Sequence, residues 1–155
     1  MKPRTHFPLK TVWAAACLVL LLQIADPGAS LYSQQSNLVK VRSIAESQHE
    51  IVMLLLQKRD FAKAATEAAK IFEMNWPPDQ EPVLLKELLY LADQFLHRGE
   101  AIHGLKLMDG CAKSFRNPSS QISIWKEKGY LYKHMNQMEK ALECFREARR
   151  LENSR

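Results

Sequence analysis

Cysteine and histidine are the side chains that could bind a metal or act as nucleophiles, and they are widely spaced in this chain. Beyond the first thirty residues there are two cysteines, Cys111 and Cys144, and three of the histidines are His97, His103 and His134. No pair of these histidines has the tight spacing of a zinc site. The cysteines fall at or beside inward helix positions, where a thiol serves as a small buried hydrophobe. We expect two free thiols, with a disulfide between them as the alternative in an exported chain, and no metal.

The carboxylates near the C-terminus also have a simpler explanation than catalysis. Glu139, Glu143 and Glu147 are four residues apart on one predicted helix, and Lys140 and Arg146 lie between them. Such spacing is typical of an exposed helix face with alternating charges. The chain has no glycine-rich phosphate loop, nucleophile motif or zinc-spaced cysteine pair. The sequence therefore predicts a non-enzymatic protein without a cofactor.

Composition favours one all-α domain. The chain has 155 residues, of which 46% are apolar and 25% charged, and it contains only 5 glycines and 7 prolines. Runs of Leu, Ala, Glu, Lys and Gln favour helix. The net charge is +5, but residues 31–155 carry only 19 basic against 16 acidic groups. This small excess, without a clustered basic face, argues against nucleic-acid binding.

The first thirty residues have the three parts of a secretory signal peptide. A basic opening, MKPRTHFPLK, precedes the apolar run from Thr11 to Ala25, and DPGAS follows with small residues for cleavage after Ser30. The apolar run is shorter than the ~20 residues that span a bilayer. Alternatives are an uncleaved anchor or, since it follows AAA, lipidation at Cys17. Each predicts export: a periplasmic or extracellular protein if cleaved, a membrane-anchored one if not, with no other membrane contact.

Residues 31–44 are polar and weakly patterned, and we predict a linker there. From residue 45 onward the apolar spacing is helical, and three segments align with offsets of 40 and then 37 residues. The turns KRDF, RGEA and MNQM coincide in this alignment. Each is followed at the same distance by a small residue, namely Ala64, Gly104 and Ala141. We therefore predict three helical hairpins, at about 45–78, 85–118 and 122–155.

The third copy resembles a tetratricopeptide repeat, whose pattern is W-x2-L-G-x2-Y followed by A-x3-F. The matching residues are Trp125, Gly129, Tyr132, Ala141 and Phe145, whereas Lys128 stands where Leu is usual and the closing Pro is missing. The resemblance is weaker in the second copy and weakest in the first. It implies an α-solenoid of three stacked hairpins following the N-terminal segment.

Close helix packing explains the small residues independently of the resemblance. Two helices of a hairpin approach closely only where a side chain is small, so we expect contact between Gly129 and Ala141 and between Ala92 and Gly104. Large side chains at Trp125, Tyr132 and Phe145 should fill the surrounding space. The links predict helix caps at Asp79 and at Ser119 or Ser120.

In the tetratricopeptide family the first helix of each pair lines a concave groove that binds proteins or peptides. By alignment the groove positions here are His49, Met53, Leu56, Leu89, Asp93, Leu96, Lys126, Tyr130 and Lys133. Family members that grip a peptide C-terminus use Lys and Asn at fixed positions. Lys126 matches such a Lys, but Tyr130 stands where Asn is expected, so we expect an amphipathic helix or extended segment instead. The alternative is that Met53, Leu56 and Leu96 only pack between repeats.

These observations predict an exported protein-interaction module, an adaptor or scaffold in a cell-envelope assembly that recruits one protein or peptide partner. The alternative is a membrane-anchored structural protein whose repeats self-associate into homo-oligomers. Repeat arrays commonly need a polar capping helix over the last apolar face, and only ENSR follows Leu151. Self-association is one way to cover that face.

Overall fold

The computed structural model describes residues 27–154, and within this range every regular element is helical. The predicted signal peptide or anchor lies outside the described residues except for its last four. No described helix has the length and apolar character that crossing a membrane would require. The six α-helices of the described residues are α1 (Pro27–Gln57), α2 (Phe61–Glu73), α3 (Glu81–His97), α4 (Ala101–Cys111), α5 (Pro118–His134) and α6 (Met138–Asn153).

Helix α1 includes residues 31–44, so the predicted linker is helical. No glycine or proline interrupts this segment, and Leu38, Val41 and Ala45 are half-buried at helical spacing. This apolar row continues into buried Val52, which explains why the helix begins long before the first repeat. A boundary between Asn37 and Leu38 divides the chain into two compact units. All the packing described below belongs to the second unit.

Three hairpin turns with the same geometry join α1 to α2, α3 to α4 and α5 to α6. In each turn one residue adopts a positive φ: Arg59 (61°), Gly99 (77°) and Asn136 (62°). In each, the next N–H donates to a carbonyl five residues back: Asp60 to Leu55 (3.0 Å), Glu100 to Phe95 (2.9 Å) and Gln137 to Tyr132 (2.9 Å). This is the usual way to satisfy carbonyls at a helix end. The turns recur at the predicted offsets of 40 and 37 residues.

The predicted close approach in the second hairpin is present. A Cβ added to Gly104 would lie 3.2 Å from the backbone oxygen of Ala92 and 3.4 Å from its Cα. The same position would be 3.6 Å from Leu131 Cδ1 in α5. A glycine here allows α4 to approach α3 and α5 together, which offsets its low helix propensity.

In the third hairpin Phe145 fills the space beside Gly129, as the sequence predicts. The atoms nearest to a Cβ added at Gly129 are those of the Phe145 ring, at 2.8 Å, so this glycine makes room for an aromatic ring. Ala141, four residues before Phe145, is buried, and so is Ala64 in the first hairpin. Trp125 and Tyr132 are half-buried. Lysines cover both half-buried rings: Lys128 Nζ lies 4.4 Å from the Trp125 ring centre, and Lys140 Nζ lies 5.5 Å from that of Tyr132.

The hydrophobic core runs through all three hairpins. Its largest fully buried side chains include Phe95 and Phe115, with Leu56, Leu88 and Leu131. Both predicted helix caps are wrong. Asn117 caps α5 by accepting from Ser119 N–H, because Pro118 fixes the first helical residue. Asp79 lies within the short 3-10 helix Pro78–Gln80.

Candidate functional site

The main candidate site is a cleft between α1 and α3. It has a volume of about 580 Å³ and is lined largely by apolar atoms. Trp76 and Ile71 form part of its lining, and Val83 and Tyr90 of α3 are among its exposed members. The remaining lining residues are Arg42, Ala45, Glu46, His49, Glu50, Leu84, Lys86 and Glu87. A concave apolar surface with a few polar groups is typical of a binding site.

His49 connects the two walls of the cleft. Its Nδ1 lies 2.6 Å from Glu87 Oε1, and its ring stacks on Tyr90 with centres 5.7 Å apart. Further along the same walls, Arg42 Nη2 donates to Gln80 Oε1 at 2.6 Å. At the base, Trp76 Nε1 donates to the Ile71 carbonyl at 2.7 Å. The His49–Glu87 bond and the stacking of His49 on Tyr90 join α1 to α3, and the Trp76 bond fixes the indole ring against the end of α2.

The rims of the cleft carry charges without partners. Glu46 and Glu50 are exposed on α1, one turn apart, and Lys86 is exposed on α3. Within residues 35–154 none of these three takes part in an ion pair or hydrogen bond through its side chain. Like charges four residues apart on a helix are mildly destabilising. A cationic group near the α1 rim would relieve that repulsion.

Only one residue of the predicted groove lines this cleft, and that is His49. Leu56 is 1% exposed and belongs to the core, so its side chain offers no surface to a partner and its assignment to the groove is corrected. Met53, Leu89 and Leu96 are half-buried and pack against the same core. The contacts of these three side chains match the alternative interpretation, in which such apolar positions only pack within the protein.

The predicted groove residues of α5 are exposed and lie in a different environment. Lys126 Nζ forms an ion pair with Glu152 in α6 at 2.6 Å. Tyr130 is 50% exposed, with its ring edge-on to Phe145 at 5.2 Å between centres. Lys133 is exposed near the end of the helix. These side chains are accessible, but the structure does not bring them to the α1–α3 cleft.

An acidic pair, Asp93 of α3 and Glu127 of α5, lies in the region of the predicted groove. Burial raises the pKa of Glu127, nearby Asp93 raises it further, and His134 partly offsets both effects. Asp93 in turn lies 3.1 Å from His97 Nδ1, through its Oδ1. The charged form of Glu127 is therefore held in an unfavourable environment.

We predict that Glu127→Gln stabilises the protein at neutral pH. Because the folded-state pKa of Glu127 is raised, ionisation of this group opposes folding, and the penalty is complete above the folded pKa. Below the ordinary pKa of a glutamate the group is neutral in both states, so the difference disappears. Thermal unfolding should show a higher midpoint for the variant at pH 7 and equal midpoints near pH 3. Equal midpoints at both pH values would contradict the prediction.

The two cysteines of the described residues, Cys111 in α4 and Cys144 in α6, are free and buried. Burial raises the pKa of the Cys111 thiol to about 12 and also raises that of Cys144. Neither thiol is a nucleophile at neutral pH, since the thiolate is the reactive form. Among the described residues, no group of three or more metal-binding side chains lies together.

Sequence reasoning missed most of the cleft, above all Tyr90, Val83 and Trp76. A signal for two of them was present, because Val83, Lys86, Glu87 and Tyr90 share one face of α3 at helical spacing. The alignment instead transferred one fixed row of positions to every first helix. Comparison of the sequence with protein-family models and with curated proteins finds no match.

Proposed function

We propose that this protein is an exported, non-enzymatic interaction module in which three tetratricopeptide-like hairpins form a short α-solenoid. The recurrence of one turn geometry at the offsets of the sequence repeat supports the repeat interpretation. The basic and apolar N-terminal sequence supports export to the periplasm or cell exterior. An adaptor or scaffold role in a cell-envelope assembly follows from these two features together.

The observation that carries the binding proposal is the α1–α3 cleft. It is large enough for one or two bulky apolar side chains; His49 and Trp76 are held by hydrogen bonds, and Tyr90 stacks on His49. We assign it to an amphipathic helix of a partner protein, with an aromatic or leucine side chain in the cleft. The unpartnered Glu46 and Glu50 favour Lys or Arg on one flank of that anchor, and Lys86 favours an acidic residue on the other.

Filling the cleft tests this proposal without removing any contact. A displayed library of amphipathic helical peptides is selected on the full-length chain, and a selected peptide is measured by fluorescence anisotropy against Ala45→Trp. We expect the affinity to fall at least about tenfold, the equivalent of ~1.4 kcal/mol. The matched control is Ala62→Trp, which adds the same ring at an exposed position of α2 and should leave binding unchanged. Equal affinity for both variants, or no selected peptide, would refute the assignment.

A specific observation also favours the second candidate, a membrane-anchored structural protein that self-associates. Helices α1 and α6 each expose large apolar side chains: Ile44, Ile51, Leu54, Met138 and Leu142 are all 45–54% exposed. In this alternative residues 11–25 hold the chain in a membrane and the repeats contact further copies.

A further inference from the structure

Each of three exposed apolar side chains of α1 occupies a position that is buried in one of the other two first helices. At the repeat offset of 40 residues, Ile44 corresponds to Leu84 and Ile51 to Leu91, which are 6% and 0% exposed, against 49% and 45% in α1. Leu54 is 54% exposed, whereas its counterpart in α5, Leu131, is completely buried. Ile44, Ile51 and Leu54, the α1 face, therefore have the chemistry of a buried contact, and no residue between 35 and 154 covers them.

Helix α6 also exposes apolar side chains at positions whose counterparts in α4 are buried. At the offset of 37 residues, Met138 corresponds to Ala101 and Leu142 to Leu105, which are 5% and 2% exposed in α4. Met138 and Leu142 are 50% and 49% exposed. They are four residues apart and share one side of the helix. Met138 and Leu142, the α6 face, again match positions that are covered elsewhere in the chain.

The contact between α4 and α5 is the internal example of how two such faces meet. Leu131 Cδ1 of α5 lies 3.6 Å from the Cβ position of Gly104, in the first turns of α4. Further along the same interface, Lys128 Nζ lies 2.6 Å from Asp109 Oδ1. The start of α4 therefore meets the end of α5. By correspondence, Leu54 would meet α6 at Ala141, the counterpart of Gly104 and the neighbour of Leu142. Arg146, the counterpart of Asp109, would lay its aliphatic stem on Ile51.

We propose that two copies of this chain associate head to tail, with the α6 face of one covering the α1 face of the other. The interface would continue the packing that already joins consecutive hairpins within the chain. The interface is heterologous, so a pair of copies keeps one free α1 face and one free α6 face, and a row of copies can grow. The proposal goes beyond partner binding in the α1–α3 cleft, because the α1 face and the α6 face contain none of the residues that line the cleft.

Two single substitutions test the direction of association. Ile51→Glu should block the α1 face and Leu142→Glu the α6 face, and both sites are exposed, so folding should be retained. The molar mass of the full-length chain is measured by size-exclusion chromatography with light scattering over a range of concentrations. We expect the wild type to increase in mass with concentration and each variant to remain at the monomer mass.

Mixing the two variants gives the decisive result. The intact α6 face of Ile51→Glu can still cover the intact α1 face of Leu142→Glu, so the mixture should form a dimer that grows no further. Ile102→Glu is the matched control, since Ile102 is also 45% exposed but lies outside both faces, and it should associate like the wild type. Leu54→Glu and Met138→Glu repeat the test should either first variant lose helicity.

Three results would overturn the proposal: a wild type that is monomeric at every concentration, association that the single variants leave unchanged, or a mixture that stays monomeric. The second result would point to the N-terminal apolar segment or to another surface as the source of association. Peptide binding in the cleft is measured separately with Ala45→Trp, so loss of one property does not imply loss of the other.

Discussion

Replacement of Gly104 by leucine is expected to lower the free energy of unfolding by about 3 kcal/mol, the upper part of the usual range for overpacked cores. The reason is that a Cβ at this position meets backbone atoms of Ala92 at 3.2 and 3.4 Å, together with the side chain of Leu131. Backbone atoms within a helix cannot move aside as a side chain can. The larger side chain must therefore separate α4 from α3 and α5.

Chemical denaturation of the full-length chain measures this effect, and the same helix provides the control. Gly110 has no atom within 4 Å of its Cβ position, so Gly110→Leu should be neutral or stabilising by about 0.5–1 kcal/mol through helix propensity. The two variants make the same chemical change in the same helix. Equal stability of both would mean that the close approach of α3, α4 and α5 is absent in solution.

Phe95→Ala is expected to cost about 3–5 kcal/mol, which is the usual loss when a buried aromatic side chain is removed. Phe95 is 0% exposed and lies at the centre of the core, with its ring stacked on His103 at 6.0 Å. Since domains are stable by only ~5–15 kcal/mol, this loss is a large part of the total. Phe95 also supplies the carbonyl that closes the turn before α4.

Thermal and urea unfolding followed by circular dichroism measure the loss at Phe95. Ile102→Ala serves as the comparison, because its side chain is 45% exposed and surface substitutions usually change stability by less than about 0.5 kcal/mol. A small loss for Phe95→Ala, similar to that of Ile102→Ala, would show that the second hairpin is not packed as described.

The repeated features of the fold could be predicted because they depend on local rules. The three turns follow from residues that tolerate positive φ, such as Gly99 and Asn136, and the Ala92–Gly104 contact follows from the lack of large side chains. Residues 31–44 were predicted as a linker because most of them are polar and only a few apolar residues recur at helical spacing. Leu56 was assigned to the groove because it aligns with the groove positions of the other repeats, but its side chain is buried in the core.

The candidate site could be predicted much less well, because the α1–α3 cleft depends on distances between residues far apart in sequence. His49 and Glu87 are 38 residues apart, and no local pattern shows that their side chains meet at 2.6 Å. Trp76 lies in the link after α2, where the sequence indicated only a break between repeats.

Amide chemical-shift mapping of the full-length chain with a selected amphipathic peptide tests the proposed binding function most directly. We predict that the largest shifts fall on residues 42–50 of α1 and 83–90 of α3, together with the Trp76 indole N–H. Residues of the α1 face beyond the cleft, such as Leu54, should shift little. Shifts concentrated instead on α5 around Tyr130, or spread evenly over the molecule, would contradict the assignment of the cleft as the partner-binding site.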